Sequence, residues 1–307
     1  MRTRAGLALA LVAAVISGFS VYINSYGVRA FGKAYGGATV YTTEKNLVAA
    51  VVLAVVLVVV SRRAPKEGFT RPGRPAQWAA LAAIAVIGGS VPFVLFFEGL
   101  ARASSVNAAF IQKTLVIWVA VLAVPLLRER LTGWHIAAIA GLVWGQAQLG
   151  GGVGGIGFGT GEAMIFAATL LWAAETIVAR RLLSSLSALT VATARMGGGV
   201  LILICYTLAT TTWSVLTAAG WHQWSWVLAT GLILAAYVGT WYSALARAGA
   251  IDVTALLVPG AIITALLQSG SKALAPQWPG LVLVAAGAAF VLLAARKNTG
   301  PALADVR

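Results

Sequence analysis

Apolar stretches of membrane-crossing length recur ten times along this chain. They lie at residues 6–26, 38–60, 78–98, 105–126, 132–149, 158–179, 187–209, 224–245, 252–271 and 277–295. A transmembrane helix needs about 20 such residues, within a range of roughly 17–25. In lipid every backbone N–H and C=O must be satisfied inside the protein, which leaves only helices and closed barrels. Barrel strands are shorter and alternate polar with apolar residues, and these stretches do neither. The expected fold is all-α and polytopic, with ten transmembrane helices. Composition points the same way: 60% of the 307 residues are hydrophobic and 10% are charged, against about 25% charged in soluble domains. No soluble core buries that much apolar surface, so the lipid bilayer is the first partner the chain requires.

The net charge of +14 would suggest nucleic acid in a soluble protein. Here the bases sit at the ends of apolar runs, without a basic stripe interleaved with aromatics, so no nucleic-acid partner is expected. The bases instead set orientation. With the N-terminus in the cytoplasm, that side holds Arg2, Arg4, Arg62, Arg63, Lys66, Arg71, Arg74, Arg128, Arg130, Arg180, Arg181, Arg247, Arg296, Lys297 and Arg307. The outer side holds only Arg29, Lys33, Arg102 and Lys272, while Lys45, Lys113 and Arg195 fall inside spans. This places both termini in the cytoplasm of a cell inner-membrane protein. Met1-Arg2-Thr3-Arg4 before an apolar run has the look of a signal peptide, but the run continues through Phe19 and Tyr22 with no clear Ala-x-Ala site. It reads as an uncleaved first helix.

The tetrapeptide Leu-Ala-Arg-Ala occurs twice, at Leu100–Ala103 and Leu245–Ala248. In the residues that follow, Val106-Asn107 corresponds to Ile251-Asp252. Thr39-Val40 before Glu44 likewise parallels Thr190-Val191 before Arg195. The offset is near half the chain, so the ten spans divide into repeats at 1–150 and 151–307, five helices each. Five is odd, so the second copy enters the membrane upside down. Arg102 then lies outside and Arg247 inside. Inverted repeats with a substrate site at their interface are a transporter design.

Enzymatic chemistry finds little footing. Cys205 is the one cysteine, and His135 and His222 are far apart without metal-ligand company, so no metal site, catalytic residue or cofactor is expected. Gly152-Val153-Gly154-Gly155-Ile156-Gly157 matches Gly-x-Gly-x-x-Gly formally. No strand precedes it, and it reads as the flexible link between repeats. No Walker motif or nucleophile elbow is present.

The informative side chains are charges inside spans, because each costs on the order of 2.5–3.5 kcal/mol at bilayer depth and needs a partner or a wet cavity. Lys113 lies eight residues past Ser105, about 12 Å into the membrane at about 1.5 Å per residue. It reads as a contact for a substrate carboxylate or phosphate, or as half of a switching ion pair. The structural alternative is a permanent buried pair with Glu98, Glu44 or Glu175. Glu44 and Lys45 are adjacent and so point about 100° apart, each needing its own partner, with Lys45 reading as a cavity liner. Glu175 and Arg195 are candidates for an ion pair, and Gly197-Gly198-Gly199 after Arg195 reads as close helix packing. Glu98 stands at the outer end of span three, where an interfacial carboxylate is the plainer reading. Tyr22, Tyr41, Trp118, Trp172, Tyr237 and Trp241 are aromatic candidates for the cavity wall, against the alternative of packing or an interfacial belt. Trp213, Trp221, Trp224 and Trp226 fit the belt.

The ordered set of Gly99-Leu100-Ala101-Arg102-Ala103-Ser104-Ser105, then Pro125-Leu126-Leu127-Arg128-Glu129-Arg130-Leu131-Thr132, then Leu171-Trp172-Ala173, Ala179-Arg180-Arg181 and Ala244–Ala248 leading to Pro259 resembles the drug/metabolite transporter superfamily, in particular EamA-type transporters. The resemblance runs over roughly residues 5 to 296. It implies ten helices in an inverted five-plus-five repeat and transport of small metabolites such as amino acids, commonly exported. The second repeat departs from it at Gln268-Ser269-Gly270-Ser271-Lys272, without the glutamate often seen there. Arg128-Glu129-Arg130 therefore belongs to the first half alone and reads as a cytoplasmic loop anchor. The expected function is a secondary transporter of a small-molecule substrate by alternating access. A membrane-embedded enzyme and a non-transporting sensor are the alternatives. Substrate, direction, coupling ion and oligomeric state are left open by the sequence.

Overall fold

In the computed structural model, which describes residues 2–65, 67–149, 158–269, 282–283 and 285–290, the secondary structure of the described residues is helical throughout. Among the described residues, seven helical segments are long and apolar enough to cross a membrane. Helix α1 (Arg2–Phe31) and α2 (Gly37–Arg63) are continuous. The third segment is broken into α3 (Pro75–Ile87) and α4 (Val91–Leu100), and the fourth into α5 (Ser105–Lys113) and α6 (Leu115–Leu127). After α7 (Gly133–Leu149) come α8 (Thr160–Leu182), α9 (Ala188–Thr210), the short α10 (Trp213–Leu216) and α11 (Trp221–Leu245).

The remaining expected spans have a different form. The fifth is α7, of 17 residues. The ninth is split into α12 (Ala250–Ala255) and α13 (Gly260–Ser269) around a turn at 256–259 that holds Pro259. Of the tenth, 282–283 and 285–290 are described and helical. The glycine link at 150–157 lies outside the described residues.

Backbone groups freed at the breaks find partners inside the protein, as an apolar interior demands. Gly88-Gly89-Ser90 interrupts the third span, and Pro92 stands in the first turn of α4. The Ser90 hydroxyl lies 3.0 and 3.1 Å from the Ala85 and Val86 carbonyls, and Trp172 Nε1 donates to the Gly88 carbonyl at 3.1 Å. In the ninth span the Thr254 hydroxyl lies 2.7 Å from the Ala250 carbonyl.

Helices of the two sequence halves interleave. Helix α1 packs along α11, α4 along α8, and α2 between α9 and α11. Glycine lets the backbones meet. A methyl group at Gly199 on α9 would overlap the Gly89 backbone, and one at Gly198 would press on the Ala85 side chain, whereas Gly197 faces open space. The outward face of α2 is a run of exposed valines, Val51, Val55, Val56, Val58 and Val59, as a lipid-facing surface should be. Trp213, Trp221 and Trp224 are exposed, while Trp226 stacks on Tyr26 with ring centroids 6.2 Å apart.

The two copies of Leu-Ala-Arg-Ala lie at opposite ends of α1, a helix about 45 Å long at about 1.5 Å per residue. Arg102 lines a cleft with Arg29 and Lys33 at the α1 C-terminus, while Gly6 at the α1 N-terminus abuts Ala248.

Candidate functional site

A cavity of about 70 Å³ lies among the helices, walled by both sequence halves. From the first half, α1 contributes Ser17, Ser20, Val21 and Asn24, and α2 contributes Lys45. Phe93, Phe96 and Phe97 come from α4, and Gln112, Lys113 and Leu115 from the α5–α6 junction. The second half supplies Trp172, Glu175 and Thr176 from α8, Arg195 from α9, Leu234, Tyr237 and Trp241 from α11, and Thr254 and Leu257 at the α12 break.

Four ionisable side chains are buried here: Lys45, Lys113, Glu175 and Arg195, each at most 5% exposed. Arg195 Nε stands 4.0 Å from Glu175 Oε1, and the Tyr242 hydroxyl donates to that same carboxylate. The Arg195 guanidinium also lies over Phe93, 5.2 Å from the ring centroid. The Glu175–Arg195 pair considered from sequence is thus present, with Tyr242 as a third member. Lys113 Nζ donates to Ser17 Oγ at 2.7 Å and to Gln112 Oε1 at 3.2 Å. None of the carboxylates Glu44, Glu98 or Glu175 pairs with it.

Lys45 has a more elaborate seat. Its Nζ donates to Asn24 Oδ1 at 2.9 Å and lies 3.4 Å from the centroid of the Phe97 ring. A desolvated cation over an aromatic face gains about 2 kcal/mol. Asn24 Oδ1 also accepts from the Tyr41 hydroxyl at 2.7 Å, and Tyr41 lies 2.9 Å from Thr230 Oγ1 on α11. Tyr41 therefore supports the cavity through Asn24 without lining it.

Of the aromatic candidates, Trp172, Tyr237 and Trp241 line the cavity. Trp172 meets Phe93 edge-on with centroids 5.6 Å apart, and Tyr237 stacks on Trp241 at 6.3 Å. Tyr22 and Trp118 do not. Tyr22 bonds Tyr26 at 2.9 Å, and Trp118 packs edge-on against Phe166. Glu44 also stands apart from the cavity, half-buried, with Oε2 lacking a hydrogen-bond partner among the described residues. Glu98 lines instead the cleft at the α1 C-terminus, of about 810 Å³, pairs with Arg102 at 2.6 Å and accepts from Thr39 Oγ1 at 2.9 Å.

Sequence reasoning missed Ser17, Ser20 and Asn24, although spacings of three and four put them on one helix face. It also missed a polar cluster at the α1 N-terminal end. Arg128 closes α6 in a left-handed conformation, φ 55°, and Glu129 then accepts from the backbone N–H groups of Ala250 and Ile251 at 2.7 and 3.1 Å. Gly249, the N-cap of α12, has no side chain to do this; Ser104 caps the matching helix α5 itself by accepting from Asn107 N. His135 Nε2 and Asp252 Oδ1 are 3.0 Å apart beside this cap. Arg180 and Arg181 donate to the Leu245 and Leu126 carbonyls at 2.9 and 2.6 Å.

A family model of EamA-like transporters matches the chain twice, over residues 4–147 and 159–293. The chain belongs to the EamA-like transporter family. That family lies within the drug/metabolite transporter superfamily, and its members are transporters. This EamA-like protein is accordingly a multi-pass membrane protein of the transporter class. No curated protein matches it. Among solved structures, the crystal structure of another protein is similar to it, with 17% sequence identity and a TM-score of 0.70. The match covers 92% of this EamA-like chain and 99% of the other. At that identity the likeness speaks for the fold alone.

Proposed function

We propose that the chain is a secondary transporter that exports small organic metabolites, amino acids among them, across the cytoplasmic membrane by alternating access. The observation that carries this reading is a buried polar cavity walled by both sequence halves, with Ser17, Asn24, Lys45 and Lys113 facing Trp172, Glu175, Arg195 and Trp241. A site between two units is exposed to one side or the other as the units rock.

In this reading the chain has ten helices in two inverted repeats, 1–150 and 151–307. Support comes from the matched copies Leu100–Ala103 and Leu245–Ala248 at opposite ends of α1. Both termini lie in the cytoplasm, which the bases at Arg4, Arg62, Arg63, Arg128, Arg180 and Arg181 favour. The Glu129 cap and the His135–Asp252 contact then lie at the cytoplasmic end, and the cleft beside Arg102 lies at the outer end.

The test is purified protein in liposomes with a panel of radiolabelled solutes. The expected result is saturable movement of at least one solute without covalent change. Conversion of the solute would favour an enzyme, and no movement of any solute with folded protein would end the transporter reading.

A further inference from the structure

The charges in the central cavity do not balance. Among the described residues, Lys45, Lys113 and Arg195 face it, and Glu175 is the one carboxylate. Glu175 is engaged by Arg195 and Tyr242. That leaves two ammonium groups whose hydrogen bonds end on neutral oxygens, Asn24 Oδ1, Ser17 Oγ and Gln112 Oε1. Of the other described carboxylates, Glu98 is committed to Arg102, Glu129 to the α12 N-terminus, Glu162 to Gly159 N and Asn107, and Asp252 to His135, while Glu44 and Glu67 lie outside the cavity lining. A buried charge without a counter-charge is strongly destabilising, and a hydrophobic residue of similar volume would cost less. Two such amines at one cavity make a standing deficit of negative charge that an occupant can offset.

A second place has the same sign. The cleft at the α1 C-terminus carries Arg29, Lys33 and Arg102 against the one acid Glu98. Clefts lined by one sign of charge concentrate oppositely charged solutes.

We propose that the transported solute is a small organic anion with two negative charges, from carboxylate or phosphate oxygens. Lys45 and Lys113 contact those oxygens, and the carbon part lies against Phe93, Phe97 and Trp172. Charge-assisted bonds to both amines replace the neutral contacts with Asn24, Ser17 and Gln112. The cavity volume of about 70 Å³ keeps the occupant to a few carbon atoms. The inference rests on the transporter reading and gives it a substrate class.

The experiment uses the full chain in detergent and in liposomes with four probes of similar size: succinate, glycerol phosphate, alanine and putrescine. Thermal stabilisation reports binding, and uptake of the labelled probe reports transport. Succinate or glycerol phosphate is expected to stabilise and to cross, and the comparison of these two separates a carboxylate from a phosphate. Lys113→Gln and Lys45→Gln should each weaken that binding about tenfold or more, and Lys113→Arg should retain most of it. Wild-type selectivity decides the matter even where a glutamine variant fails to fold. Preference for alanine or putrescine over both anions overturns the anion class and leaves transport standing. Lysine-dependent stabilisation by an anion that never crosses supports the anion site and sinks the transporter reading. Absence of both binding and movement with all four probes overturns the proposal.

Discussion

Asn24 is the residue on which the cavity's polar seat depends. Its Oδ1 accepts from Tyr41 and Lys45, and its Nδ2 donates to the Ser20 carbonyl at 2.7 Å. Asn24→Leu keeps the volume, leaves the Tyr41 hydroxyl with Thr230 alone, and strands the Lys45 ammonium with the desolvation cost of an unsatisfied group, about 1–3 kcal/mol. The expected outcome is a lower melting temperature in detergent, with Lys45→Met partly restoring it because the stranded charge is gone. An unchanged melting temperature in Asn24→Leu would show that Lys45 has another seat. The sequence marks Lys113, Glu175 and Arg195 because a charge inside an apolar run is conspicuous. Neutral Ser17 and Asn24 carry no such mark, and only their shared face betrays them. Glu44 and Lys45 look equivalent in the sequence. The helical twist of about 100° between neighbours sends Lys45 to the cavity and Glu44 away from it, and which one turns inward is set by packing against α4.

At the scale of elements, span positions are legible because hydropathy is additive along a window. The breaks are not, since Gly88-Gly89 and Pro259 sit in stretches whose hydropathy stays high. A broken helix exposes carbonyls that only a tertiary neighbour can satisfy, here Trp172 for Gly88, and no local pattern announces that neighbour. The triple glycine yields a differential prediction. Gly199→Ala collides with the Gly89 backbone and should destabilise by about 1–3 kcal/mol, the range for overpacking. Gly197→Ala meets open space and should be neutral or stabilising by up to about 1 kcal/mol, the helix-propensity difference. Thermal melts of the two variants in one detergent check this, and equal effects would refute the packing role of Gly199. Glu129 makes the matching case for a cap supplied in trans. Glu129→Ala leaves the Ala250 and Ile251 N–H groups without their acceptor and should cost about 0.5–2 kcal/mol. Hydrogen exchange should rise at α12 and not at α5, whose cap is its own Ser104. Protection at α12 unchanged by the substitution would remove the cap from the account.

For the whole molecule, the repeat of Leu100–Ala103 at Leu245–Ala248 is the observation on which the proposed inverted architecture rests. Two copies an odd number of spans apart are expected on opposite sides, and the copies lie at opposite ends of α1. Which side chains meet across the halves was not readable, because those contacts are set by interleaved packing of α1 on α11 and α4 on α8. One such contact tests the mechanism. Asn107 Nδ2 on α5 is 3.3 Å from Glu162 Oε1 on α8, at the end of the bundle that carries Arg102. In a chain with Cys205 replaced by Ser, the pair Asn107→Cys and Glu162→Cys, bridged by a short bifunctional thiol reagent that reductant cleaves, should tie the two halves together there. If the halves rock, the cross-linked protein loses transport by about tenfold or more and reductant restores it, since one of two required states has been removed from the cycle. Each single cysteine controls for losing the native contact. A half-buried cysteine at Ala246, at the opposite end, then reports the other gate, and its reaction with an impermeant thiol reagent from the cytoplasmic side should change when the first end is locked. Full cross-linking with undiminished transport and an unmoved rate at position 246 would mean that solute passes without the halves moving, and a fixed pore through the cavity would replace alternating access.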